Sequence, residues 1–218
     1  MNLSKVLPAV CVLTGDMVSI SYVLQSAQHQ SILKKCFPVV LCCLYLLFRT
    51  RGKDRYSQLI LLGLIFSLGG DACLIYPNLF IPGMALFAAA HVCYILAFGW
   101  HPLNCTSLLF ILPLEGIICA ILLPNLDDKQ KIFVPIYMML LGTMVWRALS
   151  RKYDSASGRY SAIGGVSFMV SDCVIGLDMF VQHVSWSSLF IMTSYYIAQI
   201  LITLSATELQ AINTKKSS

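Results

Sequence analysis

Along most of this chain apolar residues do not alternate with polar ones but run on for about twenty positions at a time, as in Leu59-Ile60-Leu61-Leu62-Gly63-Leu64-Ile65-Phe66. A helix needs ~20 such residues to cross a ~30 Å hydrocarbon core. In lipid every backbone N–H and C=O must be satisfied within the chain, which leaves only helices or a closed barrel. A barrel strand alternates apolar and polar residues over ~10 positions, and these runs do not. The chain is therefore expected to be an all-α polytopic membrane protein. A window of about 19 residues finds eight apolar stretches, near 6–24, 33–48, 57–76, 79–100, 104–123, 131–149, 161–181 and 186–206. The loops between them are short, so residues 1–206 read as a single eight-helix transmembrane domain and 207–218 as a cytoplasmic tail. Only 11% of the residues are charged, against about 25% in soluble domains, so any chemistry has to take place inside the bundle or at its mouth.

Basic residues set the expected orientation. Arg49, Arg51, Lys53 and Arg55 stand between the second and third stretches, and Arg147, Arg151, Lys152 and Arg159 between the sixth and seventh. With eight spans these loops share a side with both termini, and the positive-inside rule makes that side cytoplasmic. Lys34 and Lys35 fall on the opposite side, at the start of a helix, where long side chains can snorkel to the interface. The net charge of +5 thus orients the chain, and its basic residues form no aromatic-interleaved patch, so nucleic acid is not expected as a partner. The first stretch follows Lys5, is longer than a signal-peptide core and lacks a convincing cleavage site, so it reads as a retained helix. Two sequons, Asn2-Leu3-Ser4 and Asn104-Cys105-Thr106, face the cytoplasm in this topology and are expected to carry no glycan. The terminal Lys215-Lys216-Ser217-Ser218 looks like the dilysine address read by the retrieval coat, an address rather than an anchor. It points to a multi-pass protein of the endoplasmic reticulum membrane; a solvated basic tail is the plainer reading. Nine cysteines without a Cys-x-x-Cys pair suggest neither a disulfide framework nor a zinc knuckle.

Two aspartates sit deep inside apolar runs: Asp71 in Ser67-Leu68-Gly69-Gly70-Asp71-Ala72-Cys73-Leu74-Ile75, and Asp172 in Phe168-Met169-Val170-Ser171-Asp172-Cys173-Val174-Ile175. Each costs ~2.5–3.5 kcal/mol near a helix centre, so such residues face a bundle interior and mark a working site. Both runs open on the same tripeptide, Arg55-Tyr56-Ser57 and Arg159-Tyr160-Ser161, and Leu86-Phe87…Tyr94 recurs as Leu189-Phe190…Tyr196, at offsets of about 101 to 104. Asp16 has a rough counterpart in Glu115. Residues 1–102 and 103–206 therefore read as two parallel four-helix repeats, because an even number of spans keeps both halves in one orientation about an axis along the membrane normal. That symmetry would bring Asp71 and Asp172 to similar depths around one cavity. Gly63, Gly69, Gly70 and Ala72 in one half, and Gly164, Gly165, Ser167, Ser171 and Gly176 in the other, are the small residues that let helix backbones approach closely.

His91 and Tyr94 share a helix face, and Tyr195, Tyr196 and Gln199 cluster on another. A histidine in a core and tyrosines in packing or at the interface fit these residues as well as substrate contacts do. Two carboxyls close together in a water-poor site should not both ionise, so one is expected to stay protonated beside an ionised partner. An acid next to a base suits hydrolysis through an oxocarbenium-like state, as in glycosidases, and vinyl ethers hydrolyse by the same logic. There is no Gly-x-Ser-x-Gly elbow, no His-Glu-x-x-His and no glycine-rich phosphate loop. His29, His91, His101 and His183 are scattered, so a histidine-rich zinc site is poorly supported, although spacing leaves open zinc on His91 and the two aspartates. No metal and no cofactor are expected. The alternative function is a proton- or cation-coupled transporter using the same aspartates; it is disfavoured because no pair of broken half-helices stands at matching positions.

Several strings resemble a known family: Gly70-Asp71-Ala72-Cys73-Leu74-Ile75-Tyr76-Pro77, Pro82-Gly83-Met84, Ala90-His91-x-x-Tyr94, Ser171-Asp172 and Tyr195-Tyr196-x-Ala198-Gln199-x-Leu201-Ile202-Thr203-Leu204-Ser205-Ala206. They are similar to the lysoplasmalogenase family of transmembrane proteins, related to bacterial YhhN, over the third to eighth stretches. The resemblance implies an eight-span ether hydrolase. It would cleave the vinyl ether of lysoplasmalogens to a fatty aldehyde and glycerophosphocholine or glycerophosphoethanolamine. It also implies Asp71 and Asp172 as the catalytic pair, with His91, Tyr94, Tyr195, Tyr196 and Gln199 lining the site. The partners expected are a lysophospholipid substrate within the membrane, a second copy in a homodimer, and the retrieval coat at Lys215 and Lys216.

Overall fold

A computed structural model describes residues 14, 32–151 and 154–217, with side chains through residue 209. It is helical throughout, with no strand among the described residues. Seven helices follow one another: α1 (Ile32–Thr50), α2 (Arg55–Cys73), α3 (Phe80–Phe98) after a single 3-10 turn at Pro77–Leu79, α4 (Cys105–Leu122), α5 (Gln130–Leu149), α6 (Ala156–Phe180) and α7 (Ser187–Ser217). They correspond to the second to eighth apolar stretches; the first, at 6–24, lies outside the described residues except for residue 14. Helices α2 to α7 are long and apolar enough to cross a membrane, whereas α1 carries Lys34, Lys35 and Arg49 within its 19 residues. The last helix continues without a break from the apolar stretch through residues 207–217.

Local chemistry starts the helices where it should. The Asp54 side chain accepts from the Ser57 N–H at the head of α2, Asn104 from Ser107 at the head of α4, and Ser155 from Gly158 at the head of α6. Each is an N-cap satisfying a donor that the first turn leaves unpaired.

The tightest packing joins α2 to α3 and α6 to α7. Gly63 makes the first possible, because a Cβ there would collide with the Tyr94 ring of α3. In the second, a Cβ on Gly164 would meet Ile202 Cγ1 at 3.0 Å and the Ala198 carbonyl at 3.1 Å. Most of α4, by contrast, faces outward.

Arg147 departs from its expected role as a loop cation. It lies inside α5, is fully buried, and donates to the carbonyls of Gly99 (2.6 Å) and Pro102 (2.9 Å) while its guanidinium sits over Trp146 at 5.0 Å. It ties the α3–α4 loop to α5, since a buried guanidinium must place its N–H groups on carbonyls or π faces.

Candidate functional site

Asp71 continues a helical stripe on α2 whose buried members are Ser57, Ile60, Gly63, Leu64, Ser67 and Gly70. Spaced by three and four, these residues share one face, so the carboxyl is carried into the bundle by its register. Asp172 is carried inward in the same way on α6, beside buried Phe168, Met169 and Ser171. The two are not equivalent along their helices: Asp71 stands two residues from the end of α2 and Asp172 eight from the end of α6. At 1.5 Å per residue that is about 3 Å against about 12 Å, yet the longer α6 lets both carboxyls line one cavity.

That cavity has a volume of about 90 Å³, enough for several waters. It lies in the half of the bundle away from the basic loops, among the chain's α2–α3, α4–α5 and α6–α7 connections. Phe87 and Tyr195 line it, and Phe168 packs behind them in an edge-to-face cluster with centroids 5.5 to 6.2 Å apart. Phe80 and Phe180 meet edge-on at its far end, 5.8 Å apart. Apart from Lys35, Asp71, Tyr137, Ser171, Asp172, Cys173 and Tyr195, its lining is aliphatic or aromatic. A chamber of this kind excludes bulk water and strengthens each electrostatic contact inside it.

Each aspartate is held by a tyrosine and faces a nitrogen. Tyr195 Oη donates to Asp71 Oδ2 over 2.6 Å, and Lys35 Nζ stands 3.9 Å from Asp71 Oδ1. Tyr137 Oη makes a short hydrogen bond to Asp172 Oδ2, while His91 Nε2 lies 3.0 Å from Tyr137 Oη and 3.8 Å from Asp172 Oδ2. Tyr137 has one hydrogen and gives it to Asp172, so His91 must donate to Tyr137. Its Nδ1 is buried and has no partner among the described residues. Lys35, Asp71 and His91 stand about 101 to 104 residues before Tyr137, Asp172 and Tyr195.

Of the residues expected at the site, Asp71, Asp172 and Tyr195 line the cavity. His91 touches Asp172 from behind, through Tyr137. Tyr94 and Gln199 form a buried pair of their own outside the lining, Tyr94 Oη donating to Gln199 Oε1 over 3.0 Å. Tyr196 donates to the backbone carbonyl of Lys35 at 3.0 Å and so positions α1 instead of facing the chamber. Lys35 itself does not snorkel. It is 5% exposed and lines the cavity, because its neighbour in the chamber is a carboxylate.

Sequence reasoning missed Lys35, Tyr137 and Ser171 as lining residues. Lys35 and Tyr137 carried a readable signal, since their offset of 102 residues falls in the range that separates the similar strings. Ser171 was marked only as a small packing residue and as part of the Ser171-Asp172 string, and its hydroxyl is spent on the Ile191 carbonyl at 3.2 Å. Among the described residues, no group of three or more His, Cys, Asp or Glu side chains could hold a metal ion.

Residues 30–206 match the model of the YhhN family. A human protein named lysoplasmalogenase TMEM86B is 41% identical over 174 residues, covering 80% of this chain and 74% of its own length. The bovine lysoplasmalogenase TMEM86A is 38% identical over 188 residues, covering 82% and 78%. A lysoplasmalogenase of Mycobacterium bovis is 29% identical over 169 residues, covering 70% and 60%. No solved structure matches the chain.

Proposed function

The chain belongs to the YhhN family, and from that membership and the paired aspartates we propose that it is a lysoplasmalogenase, hydrolysing the vinyl ether of lysoplasmalogens inside the membrane. The observation that carries the mechanism is that Asp71 and Asp172, from separate helices, line one apolar chamber with a hydroxyl donor on each.

The surroundings divide the labour. Asp71 faces the Lys35 ammonium, whereas Asp172 receives a phenol and, behind it, an imidazole. Opposite charge favours an ionised carboxyl, so the Lys35 contact suits Asp71 to the carboxylate's role and leaves the acid's role to Asp172.

Asp172 protonates the β-carbon of the vinyl ether and the C=C electron pair forms the new C–H bond, leaving an oxocarbenium that the Asp71 carboxylate stabilises. Water adds to the cationic carbon while Asp71 takes its proton. The hemiacetal then collapses: its hydroxyl proton returns to Asp172 and Asp71 protonates the departing alkoxide. One water is consumed, and a fatty aldehyde and a glycerophospho-alcohol leave. The apolar lining suits the alkenyl chain and keeps competing water scarce.

The unbroken course of α2 and α6 favours this reading over an ion-coupled transporter, whose sites are built from discontinuous helices. The matched contact sets support a duplicated architecture of two four-helix units, and Lys215 and Lys216 support residence in the endoplasmic reticulum.

Purified protein should release aldehyde from lysoplasmenylethanolamine but nothing from an ester-linked lysophospholipid, and in D2O the aldehyde should carry one deuterium on its α-carbon. Asp71→Asn and Asp172→Asn should each lose about 100-fold or more while staying monodisperse. Full activity in either variant rejects the mechanism.

A further inference from the structure

We propose that Lys35 is the anchor for the substrate's phosphodiester, with Asp71 as its counter-ion within the protein. The ligand class rests on the lysophospholipid reading above; the anchor itself is argued from geometry.

Lys35 is the one cation among the described residues that line the cavity. A phosphodiester carried into a chamber otherwise lined by two carboxyls and neutral groups must find a cation or remain an unpaired buried charge. The lysine is built into place. The Tyr196 hydroxyl fixes its carbonyl, Cys36 Sγ approaches the Leu68 carbonyl of α2 at 3.9 Å, and its side chain is 5% exposed. Its Nζ lies at ion-pair and not hydrogen-bond distance from Asp71 Oδ1, which leaves N–H donors for a phosphate oxygen. Asp71 in turn has its own hydrogen bond from Tyr195 and does not depend on the lysine for one.

Position fits as well. Only the three-carbon glycerol separates the vinyl ether oxygen from the phosphate ester oxygen, so a substrate with its ether between Asp71 and Asp172 brings its phosphate beside Asp71, where the ammonium stands. A single ammonium reads the phosphate and not the amine beyond it, so this contact is indifferent to choline against ethanolamine. It distinguishes a phospholipid from an uncharged alkenylglycerol.

The test is binding in detergent micelles of two non-hydrolysable probes, a 1-O-alkyl lysophosphoethanolamine and the matching 1-O-alkylglycerol, with free glycerophosphoethanolamine as the headgroup-only arm. The parent should prefer the phosphorylated alkyl probe by about tenfold or more. Asp71→Asn should bind it more tightly still, because the competing carboxylate is gone, and should leave alkylglycerol binding unchanged. Adding Lys35→Met to Asp71→Asn, a pair in which no charge is stranded, should abolish the preference; Lys35→Arg should retain part of it. Glycerophosphoethanolamine should compete with the alkyl phospholipid in the parent and lose that ability in the double variant. A preference that survives Lys35→Met, or that is missing from the parent, overturns the anchor. Because the readout is affinity, the anchor stands or falls whether or not the parent releases aldehyde, and absence of aldehyde rejects only the hydrolase reading.

Discussion

Replacing Tyr195 by Phe removes one oxygen and keeps the ring. The ring packs edge-on to Phe87 and Phe168, with centroids 5.9 and 5.5 Å away, so the fold loses little. The site loses the 2.6 Å hydrogen bond to Asp71 Oδ2. Among the described residues Asp71 has no second hydrogen-bond donor: Lys35 stands 3.9 Å off, at the other oxygen. A hydrogen bond to a charged group contributes about 1.5–3 kcal/mol. At about 1.36 kcal/mol per factor of ten, a carboxylate released from its aim at the oxocarbenium costs about 10- to 150-fold in kcat. Tyr137→Phe makes the comparison sharp. His91 Nε2 already lies 3.8 Å from Asp172 Oδ2, and with the phenol gone its N–H turns to the carboxyl. The net loss is then that of an ordinary hydrogen bond, about two- to tenfold. Aldehyde release in micelles, with thermal unfolding of the same preparations, measures both variants. A Tyr195→Phe enzyme within twofold of the parent, or a Tyr137→Phe enzyme more damaged than Tyr195→Phe, would refute the division between the two carboxyls.

Gly70→Ala should disable the chamber from its wall, because a Cβ there would stand 2.6 Å from two atoms of the Phe87 ring. That ring must enter the cavity or part α2 from α3, costing about 1–3 kcal/mol; activity and melting temperature should fall, whereas Gly116→Ala, with nothing within 4 Å, serves as the neutral control. Tyr94→Phe should lower stability by about 1–3 kcal/mol, since it strands the Gln199 Oε1 it now satisfies, and should leave the specific activity of the folded protein unchanged. Loss of activity without loss of stability would move Tyr94 into the site.

Hydropathy alone determined that this chain is a helical membrane protein, because about twenty consecutive apolar residues have no other way to satisfy their backbone in lipid. It also pointed to Asp71 and Asp172, since a carboxyl kept deep in such a run is costly. The small residues that let α2 approach α3 and α6 approach α7 were legible for the same reason: a stripe without side chains on a helix is a place for another helix. Tertiary structure alone decided which polar groups meet. Tyr94, Tyr195, Tyr196 and Gln199 look alike as aromatic and amide residues near the site, yet only Tyr195 reaches the cavity, and a shift of one residue, or about 100° around the helix, sends Tyr196 to the Lys35 carbonyl instead. Lys35 was harder still. By sequence it is a basic residue at a helix start, free to reach for water; whether it does depends on what stands across the bundle, and there it faces Asp71 from a helix more than thirty residues further on. Composition sets the solvent each segment requires, but the pairing of one charge with another is a property of how the helices are rotated and stacked.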